Sequence, residues 1–116
     1  MDRRALQRAG EQAAARHLEC HGLEILDRNW RIRLGELDLV ARDGAVLVFV
    51  EVKTRRSSGF VDPAAGVDFR KQCRLRRLAE AYLALQRPAP GPCRFDVVSV
   101  VLERRDPLVR HIVDAF

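Results

Sequence analysis

No apolar run in this 116-residue chain approaches the length of about 18 residues that a membrane-crossing helix requires, so no transmembrane segment is expected. The first stretch, MDRRALQRAGEQAAARHLEC, lacks the continuous apolar core of a secretory leader, and no signal peptide is expected either. Cysteine is scarce. Cys20, Cys73 and Cys93 are odd in number, scattered, and form no CxxC pair, which argues against a disulfide scaffold and for reduced thiols in a cytoplasm. Glycine-rich phosphate loops, GxSxG elbows and HExxH motifs are all missing, which removes the chemistries those motifs carry. Low-complexity segments and internal repeats are missing too. Charges alternate with periodic apolar residues, so disorder is not expected, and the length suits one compact domain spanning residues 1–116.

What the chain has is basic charge. A formal net charge of +5 and a pI near 9.8 favour an anionic partner, nucleic acid first. Helical periodicity runs over residues 2–21, with Asp2 as N-cap and Gly22 just past the end. Leu6, Gly10, Ala13, Ala14, His17 and Leu18 share one face, with Glu11 on its flank. Gly10 in mid-helix weakens the helix, so it predicts close packing against a neighbour. Residues 23–34 read as extended, with a change of phase near Asp27–Asn29 that predicts a bulge or bend.

Two strands follow, residues 36–42 and 46–54, around an Asp43–Gly44 turn. RRSSGFVDPAAG, residues 55–66, reads as a mobile loop. A helix is expected over Asp68–Gln86, with Leu75, Leu78, Ala79, Tyr82 and Leu83 as its apolar stripe, and the prolines of RPAPGPC end it. RFDVVSVVL reads as a buried strand and LVRHIV as a short final strand at an edge. The order is α-β-β-β-α-β-β, an α/β fold with a mixed sheet, in which the second helix makes a crossover between parallel strands.

The hairpin GELDLVARDGAVLVFVEVK carries the chemistry. A two-residue Asp43–Gly44 loop pairs Arg42 with Ala45 and sets Asp38 opposite Phe49. Alternation then gathers Glu36, Asp38, Glu51 and Lys53 on one face and Leu37, Leu39, Val46, Val48, Val50 and Val52 on the other. Asp38 and Glu51 become diagonal neighbours, with Cβ atoms roughly 7 Å apart. Two carboxylates about 5 Å apart repel by roughly 3 kcal/mol at an effective dielectric of 20. A shared proton relieves that, and so does a divalent cation; oxygen ligands suit Mg2+ or Mn2+. Lys53 lies where it could stabilise charge on a phosphate or assist an attacking water. A surface ion-pair cluster, with Lys53 merely neutralising Glu51, is the plainer alternative.

Arg70, Lys71, Arg74, Arg76 and Arg77 crowd the start of the second helix. Cations there oppose the helix dipole, which a nucleic-acid phosphate backbone would explain, although a solvated basic face also fits. His17 and His21, at i and i+4 with Cys20 between them, have zinc-ligand spacing but no visible third ligand, so packing is the expected role. His111 reads as structural, and Trp30 and Phe95 as core aromatics.

Asp38 in GELDLV, with Glu51 to Lys53 in EVK, resembles the PD-(D/E)XK nuclease superfamily. The stretch from AGEQAAARHLECHGLEILDRNW through EVKTRR, with DFRKQCRLRRLAEAYL, RFDVV and HIVDAF, resembles more narrowly the YraN-like family of small bacterial proteins, over nearly the whole chain. Proteins of that kind are described as predicted endonucleases related in fold to archaeal Holliday junction resolvases. The resemblance implies a restriction-endonuclease-like core. It implies Asp38 and Glu51 as metal-binding acids, Lys53 as the catalytic lysine and Glu11 as an additional first-helix acid. Leu37 stands where the superfamily pattern has proline. Arg70, Lys71, Gln72, Arg74 and Arg77 are the expected nucleic-acid contacts, Gln72 on the resemblance alone. The expected function is Mg2+- or Mn2+-dependent cleavage of DNA, such as branched or repair intermediates. A homodimer is compatible with the resolvase likeness. The alternatives are a nucleic-acid-binding module without turnover on the same fold and a protein-interaction domain.

Overall fold

The computed structural model describes residues 2–57, 67–103 and 105–116. The protein is an α/β structure with two helices and one five-stranded mixed sheet. Its elements run α1 (Arg3–Cys20), β1 (Glu24–Ile32), β2 (Gly35–Asp43), β3 (Val46–Arg55), α2 (Phe69–Gln86), β4 (Cys93–Val101) and β5 (Leu108–Ile112). The strands lie in the sheet in chain order. Only β3 and β4 are parallel, as expected for strands joined through a helix, and β5 is an edge. Most of the expected 55–66 loop lies outside the described residues. Among the described residues, no helix is long and apolar enough to cross a membrane.

Both helix starts follow from local chemistry. Asp2 accepts from the Ala5 N–H at 2.8 Å and Asp68 from the Lys71 N–H at 2.9 Å, each satisfying a donor that the first helical turn leaves open. Gly22 ends α1 at φ 89°, a conformation open to glycine, and Arg87 closes α2 in the left-handed region.

The helices cover opposite faces of the sheet. Ala14, Ala15 and Leu18 of α1 pack on Leu39, Ala41, Val48, Val50, Val52, Val98 and Val100. Leu75, Leu78, Ala79 and Tyr82 of α2 pack on Leu37, Val40, Leu47, Phe49, Phe95 and Val97. The buried face of α1 is rotated from the expected one, for it includes Glu11 and Ala15, whereas Ala13 and His17 are only half-buried. Gly10 keeps its expected place: a Cβ there would lie 1.8 Å from Thr54 Oγ1, so the helix rests directly on β3 at this point. Leu83, expected in the α2 stripe, is exposed.

Two details of the hairpin differ from the expectation. The β2–β3 turn is Gly44–Ala45, with Asp43 pairing Val46, so the register is shifted by one rung. The parity is unchanged, but Asp38 is carried from beside Phe49 toward Glu51. Further, Leu37 and Leu39 do not share a face. Leu39 packs under α1 and Leu37 under α2, so β2 changes sides at Asp38. β1 changes sides at the same rung: Arg28 reaches Glu19 of α1, Asn29 reaches Glu11 of α1, and Trp30 packs on Tyr82 of α2. Asn29 accommodates this at φ 50°, a region that asparagine tolerates better than most residues. A separate bulge between Ile25 and Asp27 accounts for the phase change read in the sequence.

Candidate active site

Backbone pairing between β2 and β3 stops at Leu39–Val50, while β3 continues to Arg55 along β4. Beyond Val50 the β2 side of β3 is therefore open, and its polar groups need other partners. Asp38 Oδ2 accepts from the Val52 N–H at 2.9 Å, and Gln7 Nε2 of α1 donates to the Val52 carbonyl at 3.2 Å. The opening of the ladder brings Asp38, Glu51 and the N-terminal half of α1 together.

The carboxylates form one cluster. Oxygens of Glu11, Glu36 and Asp38 lie within 4.8 Å of one another. Glu11, only 7% exposed, accepts from Gln7 Nε2 at 3.0 Å and Asn29 Nδ2 at 2.8 Å. The same Asn29 amide donates to Glu36 Oε1 at 2.8 Å, and Arg31 donates to Glu36 Oε2 at 2.8 Å. Burial alone would raise the Glu36 pKa, but the Arg31 and Asn29 hydrogen bonds hold it below the ordinary value. Asp38 behaves in the opposite way. Burial first, then the charges of Glu51 and Glu11, push its carboxyl up to about 8, against the single Val52 N–H that favours the anion. Asp38 therefore holds its proton far more tightly than an ordinary aspartate.

Two lysines complete the site. Glu51, 9% exposed, pairs with Lys71 Nζ of α2 at 3.0 Å. Burial and the neighbouring Lys71 lower the Lys53 pKa, so its ammonium loses its proton more readily than a free lysine. Lys71 shifts the other way: burial opposes its charge, but Lys53 and Glu51 hold the proton on it.

Two cavities meet at this point. One, of about 600 Å³, is lined by Arg3, Arg4, Arg8, Glu11, Asn29 and Glu36, among others; the second, about 410 Å³, is lined by Glu51, Lys53, Thr54 and Lys71. Arg3 and Gln7 line both, so Gln7 is the partition between them. The four acids, a lysine that gives up its proton more readily than a free one and an all-oxygen donor set are groups that can hold a hard divalent cation and handle a proton beside a phosphate.

A family model described as "Uncharacterised protein family UPF0102" matches residues 10–100. The chain belongs to the UPF0102 family. This is the YraN-like relationship read in the sequence. The UPF0102 protein of Frankia alni is 54% identical over 97% of this chain and 94% of its own length. That of Symbiobacterium thermophilum is 56% identical over 84% of this chain and 82% of its own length, and that of Nocardia farcinica 50% over 99% and 91%.

In this UPF0102 chain Glu11, Asp38, Glu51 and Lys53 converge as the sequence reading expects. The basic residues of α2 divide. Arg70, Arg74 and Arg77 are exposed, but Lys71 is drawn into the site by Glu51, and Gln72 Nε2 donates to the Val67 carbonyl at 3.0 Å, holding the chain entering α2. Arg76 lies over the Phe95 ring, 4.8 Å from its centroid. Three site residues are not evident as such from the sequence. Alternation places Glu36 in the hairpin cluster without a role, Asn29 stands at the edge of the expected change of phase without a role of its own, and Gln7 carries no signal. His17 and His21 stack, with centroids 4.2 Å apart; His17 is half-buried on the helix and His21 is exposed to solvent.

Proposed function

We propose that this protein is a metal-dependent endonuclease hydrolysing phosphodiester bonds in DNA, on a restriction-endonuclease-like core of the PD-(D/E)XK type. The observation that carries the reading is the convergence of Asp38, Glu51, Lys53 and Glu11 where the β2–β3 ladder opens, with Asp38 pushed up to about 8. A carboxyl raised this far by burial and by the neighbouring acids is a group whose natural partner is a cation, and such perturbed groups cluster at functional sites. The +5 charge and the exposed Arg70, Arg74 and Arg77 support a polyanionic substrate.

The residues fit Mg2+ or Mn2+, since every donor in the cluster is a carboxylate or amide oxygen. Asp38 would hold the ion with Glu51 on one side of the Gln7 partition or with Glu11 and Glu36 on the other. A bound ion would supply charge for the phosphate and lower the pKa of a bound water. Asp38 must give up its proton to become a ligand, and Lys71 must yield its hold on Glu51. Lys53 Nζ, with its lowered pKa, accepts a hydrogen bond from the attacking water or donates one to the phosphate oxygen that gains charge. Gln7 and Asn29 hold Glu11 in place.

The test is cleavage of linear and branched DNAs with Mg2+ or Mn2+. Wild type should cut, Asp38→Asn should abolish cutting, and Lys53→Met should slow it by about 100-fold while DNA affinity changes little. Wild type that binds DNA but cuts none of these substrates with either metal would replace this reading with a binding module on a nuclease fold.

A further inference from the structure

The sequence directs attention to the basic start of α2, but the larger cavity lies on the other side of the acids, under α1. Arg3, Arg4 and Arg8 line it from α1, Arg31 from β1, and Glu11, Asn29 and Glu36 form its floor. Arg31 is paired with Glu36. Arg3, Arg4 and Arg8 are exposed and have no ion pair among the described residues. The first turn of α1 contains no acid, so Arg3 and Arg4 sit where the helix dipole disfavours cations. Neither local stability nor internal pairing accounts for three guanidiniums around one concave surface.

We infer that this groove is a second nucleic-acid track, in which Arg3, Arg4 and Arg8 bind backbone phosphates on the side of the cut opposite to α2. The two cavities share Arg3 and Gln7, so a strand passing from the Lys53–Lys71 side into the arginine groove crosses over the Gln7 side chain that divides them. Arginine suits this use because its planar fork takes two phosphate oxygens at once. A chain gripped on both sides of the reacting phosphate is cut internally rather than trimmed from an end. The inference rests on the nuclease reading for the identity of the polyanion and adds where its second half lies.

The test measures binding in the presence of EDTA, so that cleavage does not intervene, for the full chain with a fluorescent single strand, a duplex and a splayed-arm DNA. Arg4→Glu with Arg8→Glu should lower the slope of log affinity against log salt by about 1.4–1.8 on probes long enough to span both cavities, since each phosphate left without its arginine removes roughly 0.7–0.9 from the slope. Arg70→Glu with Arg74→Glu should lower it by a similar amount, and the combined variant by the sum. Arg4→Gln with Arg8→Gln should give the same direction without reversed charge. The glutamine pair adds no acid beside Glu11, so the thermal midpoint of Arg4→Gln with Arg8→Gln should hold, which separates lost binding from unfolding. An unchanged slope in the α1 variants on every probe, with a lowered slope in the α2 variants, overturns the second track and leaves the nuclease reading standing. Failure of wild type to bind any of the probes overturns both.

Discussion

Asp96 and Asp38 are aspartates of one sheet with opposite surroundings. Asp96, in β4, has no solvent exposure, and every side of its carboxylate is met by a donor: Arg94 Nε at 3.0 Å, His111 Nε2 at 2.7 Å and the Asp114 N–H at 2.9 Å. Burial would raise its pKa, but these bonds hold it below the ordinary value. Asp38 has a single backbone donor and faces three further acids, Glu11, Glu36 and Glu51, and its pKa rises to about 8. Satisfied donors make the first a strut that ties the last strand and the C-terminal residues to the core. The missing donors leave the second poised for a charge from outside. Burial of a carboxylate is common to both; what divides structure from chemistry is how many of its partners the chain itself supplies.

The comparison breaks most visibly at Asp96. Asp96→Ala leaves His111 and the Asp114 N–H without their partner and Arg94 with Asp43 alone, and urea unfolding should register a loss of about 3 kcal/mol, the low end for a broken buried pair. A loss below about 1 kcal/mol would mean that the network is no strut.

Asp38→Asn should do the reverse, with a smaller gain that depends on pH. The folded state keeps the Asp38 proton up to about pH 8, whereas the unfolded chain releases it near the ordinary carboxylate pKa. Over roughly pH 4 to 8 the native state thus binds more protons, and wild type should lose stability relative to Asp38→Asn as pH rises. Asp96 has the opposite sign: its lowered pKa contributes stability above the unfolded carboxylate pKa, and that contribution disappears as acid reaches the folded one. Parallel unfolding curves of wild type and Asp38→Asn across this range would contradict the raised value.

The finest effect belongs to Lys71, the internal cation that partly makes up for what Asp38 and Glu51 lack. Lys71→Met should weaken the apo protein slightly and tighten Mn2+ binding by up to about fivefold, in line with a half-exposed pair contributing at most about 1 kcal/mol. Titration with Mn2+ reads this directly. Weaker Mn2+ binding in the variant would mean that Lys71 supports the metal site instead of competing with it.

The strand order, the crossover helix and both N-caps were legible because they rest on local rules: β-branched runs, prolines after α2, aspartates before each helix. Glu36, Asp38, Glu51 and Lys53 were legible as a group because a register error of one rung, two residues in the number of the paired partner, preserves parity, whereas Glu11 came only from the family resemblance. The face of Leu37 was not. Strict alternation assigns it with Leu39, and nothing within β2 announces the change of side, which is imposed by Asn29 on the neighbouring strand. The place of Lys71 was hidden for a related reason, since it depends on how α2 crosses the end of β3 rather than on spacing within the helix.

The matched change of side at Asn29 and Asp38 also bears on how the chain tolerates changes of length. Without those two residues β1 and β2 would alternate regularly, Arg28–Leu39 followed directly by Trp30–Leu37, with every apolar side chain still on its present face. The rung is in effect an insertion shared by two strands. Loss of either residue alone shifts the pairing of everything beyond it, whereas loss of both leaves a sound hairpin stripped of its central acid. The hairpin can be shortened only in pairs, and the pair that could be spared for folding is the one that makes the site.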